Sequence, residues 1–352
     1  MKNMIRPSVL PKAPPAPKVL VTGGAGYIGT HTCVELLEQG YDVVVVDNLS
    51  NSCENALDRV EKITNKKLTY IWADVTDYNA MEEVLETPRI EAVIHFAALK
   101  SVGESVAQPL KYYENNVAGT LSVLRAMQKN GIKKFIFSSS ATVYGTGATM
   151  PICEDSPLGP INPYGSTKYM VEHILQDVFR ADPEWIITNL RYFNPVGAHK
   201  TGLIGEDPND IPNNLMPLIL RVATGRMTEL NVYGNDYPTS DGTGVRDYIH
   251  VTDLAEGHIA ALKKVVTPGV HNYNLGTGKG YSVLEIIKAV EKASSKKIPY
   301  VVAPRRPGDA PVSYANPTKA QTELGWTAKL GLEEMCSTAW QWQKKNPTGY
   351  KK

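Results

Sequence analysis

The sequence predicts an α/β fold, a doubly wound parallel sheet followed by a smaller mixed α/β region, on three observations. From residue 18 onward, short β-branched runs alternate with helix-length segments, the rhythm of right-handed βαβ units. Residues 43–46 are four consecutive valines, which suits a strand buried on both faces of a parallel sheet. Past residue 194 the rhythm lapses, and Gly and Pro become dense over 195–217 and again over 237–244.

Taken in order, residues 1–17 carry prolines at 7, 11, 14, 15 and 17 and no apolar core. They read as a disordered or polyproline-like tail, neither a secretory signal nor an amphipathic transit peptide. Strands are expected at 19–21, 43–46, 68–72, 92–96, 135–137 and 185–191, and helices at 27–39, 78–86, 117–129 and 164–180. This divides the chain into a dinucleotide-binding domain over 18–193 and a mainly substrate-binding domain over 194–352, some of whose segments return to the first sheet. Composition narrows the function classes. Of the 352 residues, 37 are Lys or Arg and 36 Asp or Glu, a net charge of +1. A nucleic-acid partner calls for a clustered basic excess, and adhesion to a membrane surface for a charged tail; neither is expected. Apolar stretches are too short to span a bilayer. Cysteines 33, 53, 153 and 336 lack metal-knuckle spacing and read as reduced thiols of a cytoplasmic protein.

The first strand runs into Thr22-Gly-Gly-Ala-Gly-Tyr-Ile-Gly29, which fits G-x-G-x-x-G through Gly24, Gly26 and Gly29, and G-x-x-G-x-x-G through Gly23, Gly26 and Gly29. Such glycines permit a tight turn, bring backbone N–H groups to a pyrophosphate and let the helix pack against the strand. The motif alone is weak. Its context, with a strand before it, a helix after it and Asp47 18 residues past Gly29, is specific. Asp47 can accept both ribose hydroxyls and would repel a 2′-phosphate, with no cation at Asn48 or Leu49, so NAD is expected rather than NADP. Asp74 suits either the adenine edge or a helix N-cap.

Tyr164 and Lys168 stand four apart on one helical face, after a strand ending in Ser138-Ser139-Ser140. Strand ends of such a sheet point at the bound nicotinamide. A phenol of ordinary pKa near 10 is a poor base at neutral pH, but a nearby Lys⁺ and a positive nicotinamide favour its phenolate. Ser140 can then hold the reacting hydroxyl against Tyr164. The plainer readings are strand-end capping for Ser140 and core packing for Tyr164 above an exposed Lys168.

Together the glycine motif, the serines and Tyr164/Lys168 resemble the extended short-chain dehydrogenase/reductase superfamily, a Rossmann-type fold. Longer stretches are similar to its UDP-glucose (UDP-galactose) 4-epimerases: His95-Phe-Ala-Ala-Leu-Lys-Ser-Val-Gly-Glu-Ser105, Tyr113-Glu-Asn-Asn-Val117, Phe137-Ser-Ser-Ser-Ala-Thr-Val-Tyr-Gly145, Arg191-Tyr-Phe-Asn-Pro195, Pro212-Asn-Asn-Leu-Met-Pro217, Gly234-Asn-Asp-Tyr-Pro238 and Gly242-Thr-Gly-Val-Arg-Asp-Tyr-Ile-His-Val251. Dehydratases of the superfamily carry Asp-Glu just after the catalytic Ser/Thr, where this chain has Ala141-Thr142. The resemblance implies Tyr27 and Ile28 by the pyrophosphate, Asp47, Asn48, Asn51 and Ser52 by the adenosine ribose, and Asp74 and Val75 by adenine. Phe96, Ala97, Ala98, Lys100, Asn115, Ser138, Ser139 and Phe193 would line the rest of the NAD, with Tyr164 and Lys168 at the nicotinamide ribose. The UDP-sugar would meet Lys100, Ser140, Tyr164, Asn194, Asn214, Leu215, Asn231, Tyr233, Arg246, Arg306, Asp309 and Ser313. Guanidinium forks such as Arg246 and Arg306 suit a pyrophosphate, although surface ion pairs would use the same residues.

The implied reaction is redox epimerisation at carbon 4 through a 4-keto sugar, with NAD retained as a prosthetic group. The implied assembly is a homodimer pairing the helices near 117–129 and 164–180. Ser313 takes the position of a gate residue, where a small side chain admits N-acetylated sugars and a large aromatic excludes them. If the register is one residue off, Tyr314 plugs the pocket instead.

Overall fold

The β-branched runs assemble as their burial demands. In the computed structural model, which describes residues 16–209, 212, 214–306 and 308–350, the elements run β1 (Lys18–Thr22), α1 (Tyr27–Glu38), β2 (Asp42–Asp47), α2 (Asn55–Thr64), β3 (Thr69–Trp72), α3 (Tyr78–Leu85) and β4 (Ile90–His95). Next come α4 (Val102–Ala107), α5 (Pro109–Tyr112), a π-helical turn (Tyr113–Ala118), α6 (Gly119–Lys129), β5 (Lys134–Ser140), a 3₁₀ turn (Ala141–Tyr144), α7 (Pro163–Ala181), β6 (Ile186–Tyr192) and β7 (Asn194–Val196). The remainder is α8 (Leu215–Ala223), β8 (Leu230–Tyr233), β9 (Val245–His250), α9 (Val251–Lys264), β10 (Gly269–Leu275), β11 (Gly280–Ser282), α10 (Val283–Ser294), β12 (Tyr300–Ala303), β13 (Val312–Ser313), a second π-helical turn (Ala320–Leu324) and α11 (Leu332–Lys345). The expected tail lies outside the described residues except for its last two.

Seven strands form one parallel sheet in the order β10-β6-β5-β4-β1-β2-β3. The order reverses between β1 and β4, which opens a crevice at the carboxyl ends of the strands. One face packs on α1 and α9, the other on α3, α6 and α7. Residues 251–275 thus return to the first sheet, with α9 crossing over and β10 forming its edge. A third core joins α8, α10 and α11, and a small sheet in the order β11-β9-β13 also takes β7 against β9.

A buried polar network fastens α7 to the first sheet. Arg191 and Glu172, 2% and 5% exposed, form a two-pronged ion pair: Nε donates to Oε1 at 3.0 Å and Nη2 to Oε2 at 2.7 Å. Ser139 Oγ donates to the same carboxylate at 2.5 Å, and Arg191 Nη1 donates to the Tyr144 hydroxyl and the Glu154 carbonyl, each at 2.8 Å. Five of the seven histidines are buried as well. Burial holds His31 and His95 down to about 3, and His199, His250 and His258 down to about 4.

Two measurements follow from this interior. Arg191→Met should lower stability by about 3–5 kcal/mol in denaturant titration because it strands Glu172, and adding Glu172→Leu should recover much of the loss. The histidines set the pH response. They are neutral in the fold and take up protons on unfolding below their ordinary 6.5, so stability is full above pH 6.5 and falls toward pH 4. Each contributes up to about 1.4 kcal/mol per pH unit, which a melting series from pH 7.5 to 4.5 reads directly.

Candidate active site

A cleft of about 350 Å³ lies over the carboxyl ends of β1, β2, β4 and β5. Its floor is the glycine turn. A Cβ on Gly29 would stand 2.4 Å from the Gly23 carbonyl oxygen, and one on Gly24 would stand 2.8 Å from Val45, so the helix–strand contact requires glycine at both. Gly26 caps α1 without a side chain, which leaves the first-turn amides for a ligand. At the end of β2, Asp47 accepts from Ala25 N at 3.0 Å, Leu49 N at 2.9 Å and Ser52 Oγ at 2.8 Å. Burial pushes its carboxyl up, and those three bonds oppose the shift. A backbone cradle, a helix amino terminus and a fixed carboxylate one strand away together fit a dinucleotide whose adenosine ribose lies at Asp47.

At the other end of the cleft stand Ser138, Ser140, Thr142, Tyr164 and Lys168. Asn162 caps α7 by accepting from Gly165 N at 2.8 Å, which sets Tyr164 in the first turn. Lys168 is 3% exposed; its Nζ donates to the Ser138 carbonyl at 2.6 Å and lies 6.0 Å from the Tyr164 ring centre. Burial lowers the Lys168 ammonium to about 7 while Glu172, one turn on, raises it. The Tyr164 phenol is raised by burial, with Ser140 pulling the other way. This differs from the sequence expectation of a lowered phenol. In the chain alone, burial of the phenol outweighs the Ser140 hydrogen bond.

The structure brings most of the expected cofactor residues to this cleft: Gly23, Gly26, Tyr27, Ile28, Gly29, Asp47, Asn48, Asn51, Ser52, Val75, Phe96, Ala97, Ala98, Lys100, Asn115, Ser138, Tyr164, Lys168 and Phe193 line it, as do Ser140, Asn194 and Asn214 from the substrate set. Two expectations need correction. Ser139 is 1% exposed and points to the opposite face, into the Arg191–Glu172 pair, because side chains alternate along β5. Asp74 does not line the cleft. Its carboxylate accepts from Asn48 Nδ2 at 2.8 Å and from Thr76 N and Oγ1, while Asp77 caps α3.

Leu215, Asn231, Tyr233, Arg246, Arg306, Asp309 and Ser313 lie outside this cleft, and several of them converge beside it. Arg246 and Arg306 both reach Asp309, at 3.6 and 2.8 Å, and Arg306 lies 5.1 Å from the Tyr233 ring centre. Asn231 and Tyr233 are on β8, and Leu215 opens α8. Strand register links this group to the cleft. Asn194 pairs with Tyr248, two residues from Arg246, and Arg246 pairs with Ser313, so all four side chains share one face. Sequence reasoning missed Glu206, Asp207, Tyr192 and Tyr350, which also line the cleft. Glu206, Asp207 and Tyr350 reach it through contacts distant in sequence, whereas Tyr192 ends β6 one residue before the expected Phe193.

Comparison with known proteins agrees with this geometry. The family model for GDP-mannose 4,6 dehydratase matches residues 20–339. The chain is 63% identical to the UDP-glucose 4-epimerase of Bacillus subtilis (strain 168) over 95% of this chain and 98% of that protein. It is 57% identical to that of Dictyostelium discoideum over 95% and 97%. The crystal structure of the Bifidobacterium longum UDP-glucose 4-epimerase, solved with NAD⁺ and UDP, superposes with a TM-score of 0.92 at 57% identity, covering 94% of this chain and 99% of that one. The Campylobacter jejuni UDP-Glc/GlcNAc 4-epimerase does so at 0.83 and 37% identity, covering 94% and 100%. The turn Ala141–Tyr144 after Ser140 carries no carboxylate. On the full-length identities, the chain belongs to the UDP-glucose 4-epimerase family of extended short-chain dehydrogenases/reductases.

Proposed function

We propose that the protein interconverts UDP-glucose and UDP-galactose by NAD-dependent epimerisation at carbon 4. The observation that carries this reading is the convergence of Ser140, Tyr164 and Lys168 at one end of a cleft whose other end is Asp47. Bound NAD supplies the acceptor and donor of the carbon-4 hydride and a positive ring whose field favours the Tyr164 phenolate. Gly23, Gly26, Gly29 and the α1 amino terminus would hold its pyrophosphate, Asp47 its adenosine ribose, and Tyr164 and Lys168 its other ribose. Tyr164 takes the proton of the 4-hydroxyl as carbon 4 is oxidised. Ser140 donates to the same oxygen and orients it. The 4-keto sugar turns about its phosphate linkage and is reduced on its other face, and Tyr164 returns the proton. Lys168, held by the Ser138 carbonyl, supports the phenolate through its charge. Arg246 and Arg306 exchange Asp309 for the UDP pyrophosphate.

Substrate breadth is read from the shared face of β9 and β13. Ser313 lies on the Arg246 face, whereas Tyr314 falls on the opposite one, with its ring beside Gly280. This supports Ser313, and not Tyr314, as the residue beside the sugar, which leaves space for a 2-acetamido group. The protein therefore also interconverts UDP-N-acetylglucosamine and UDP-N-acetylgalactosamine. A homodimer is part of the same reading. Val102, Val106, Leu110, Leu121, Tyr169 and Met170 are exposed on α4 to α7, an apolar surface for self-association. All four cysteines are free and no described helix is long and apolar enough to cross a membrane, which supports a cytoplasmic setting.

Incubating UDP-galactose with the protein and no added NAD should yield UDP-glucose. Tyr164→Phe should lower that rate about 10²–10⁴-fold with the fold intact, and a rate within threefold of the parent would remove Tyr164 as the base. Ser313→Tyr should retain the hexose reaction while losing the N-acetylated pair by about 5–150-fold, since overpacking costs about 1–3 kcal/mol. Equal handling of both pairs by that variant would refute the gate.

A further inference from the structure

Tyr350 is 302 residues or more from the strand ends that build the NAD cleft's floor at Thr22 to Asn48, yet it lines that cleft and is 4% exposed. Its hydroxyl donates to the Gly205 carbonyl at 3.1 Å and accepts from Gly205 N at 3.0 Å. Its backbone N donates to Asp207 Oδ2 at 2.8 Å, and its carbonyl accepts from Asn55 Nδ2 at 3.3 Å. The ring packs against Trp342 at a tilt of 48°, centres 4.8 Å apart, and carries the Arg59 guanidinium at 4.9 Å. Gly349 is positioned by Asp207, whose carboxylate leaves no room for a Cβ there.

The segment that Tyr350 grips, 203–209, is anchored on both sides of the cleft. Gly205, Glu206, Asp207 and Pro208 line it. At the adenosine side, Asn209 N donates to Asn51 Oδ1 at 2.8 Å and its Nδ2 donates to the Ser52 carbonyl at 3.1 Å. Toward the sugar side, Lys100 donates to Glu206 at 2.8 Å. The segment is thus tied to the loops after β2 and β4 and to the chain end beyond α11.

We infer that residues 203–209 are a strap that retains the dinucleotide, and that Tyr350 is the latch holding the strap down. The inference rests on the NAD reading above and adds what keeps the cofactor in place. A dinucleotide leaving toward solvent has to pass the strap, and lifting the strap breaks both hydroxyl bonds of Tyr350. Retention is therefore set partly by the last turn of the chain and not only by contacts with the nucleotide.

The test compares full-length parent, Tyr350→Phe and Tyr350→Ala. Nucleotide released on denaturation is identified by chromatography, and spontaneous release from folded protein is followed by trapping freed NAD⁺ with an excess of a coupled dehydrogenase. The parent should carry NAD. Tyr350→Phe, which keeps the ring and its contact with Trp342, should release it about tenfold faster while its far-ultraviolet circular dichroism matches the parent's. Tyr350→Ala should release it faster still. A Tyr350→Phe release rate within threefold of a NAD-loaded parent overturns the latch and leaves the cofactor reading standing. A parent that neither carries nor binds NAD overturns the cofactor reading, and the strap with it.

Discussion

The site depends on how α7 is fastened to the ends of β5 and β6. Tyr164, Lys168 and Glu172 follow one another at helical spacing, and each meets a different part of the strand end. Glu172 grips Arg191 and the Ser139 hydroxyl, Lys168 grips the Ser138 carbonyl, and Tyr164 is left facing Ser140. The fastening is polar and almost wholly buried, so each missing partner would strand a charge in the interior. A helix held only by apolar contacts with Val171 and Leu175 could slide or rotate by a fraction of an ångström. The fork of Arg191 against a carboxylate fixes both distance and plane, which positions the phenol relative to the serine.

That same geometry explains what was legible in the sequence. Tyr164 and Lys168 were readable because helical spacing is local and strand order places the helix. The glycine turn was readable because its requirement is steric and confined to eight residues. Ser139 was not, since facing along a strand reverses with each residue and three serines in a row give no phase. The phase is set by Phe135 and Phe137, packed in the core on the α7 side, which sends Ser139 the same way and Ser138 and Ser140 to the cleft. The orientation of Asp74 was illegible for a related reason: a carboxylate after a strand has several short-range donors within reach, and Thr76 and Asn48 engage it.

Long-range closure was the part with no local signal. The 203–209 segment lies where sequence reading found only dense glycine and proline, and Tyr350 carries no motif at all. Their partners, Asn51, Asn55 and Arg59, sit in and after the loop that follows β2, so the contacts span some 145 to 295 residues. Similarly, the return of 251–275 to the first sheet could not be read from rhythm, because β10 is a single edge strand with a histidine and two asparagines in it.

The two ends of the site are built to different standards, and the difference matches what each has to do. Asp47 is held by three hydrogen bonds and buried, Lys168 and Arg191 are locked, and a strap is anchored on both sides of the cleft. In the substrate's half, Arg246 and Arg306 share the carboxylate of Asp309; Arg306 is 56% exposed, Arg246 22% and Asp309 27%. Partly exposed pairs of that kind are worth about 0–1 kcal/mol, so under the proposed function trading Asp309 for a pyrophosphate would cost little and reverse easily. A group that must turn over meets such replaceable partners, while one that stays through every cycle meets buried and cross-braced ones. Retention of the cofactor and release of the product are therefore separated in the fold itself, by which charges were placed in the interior and which were left at its rim.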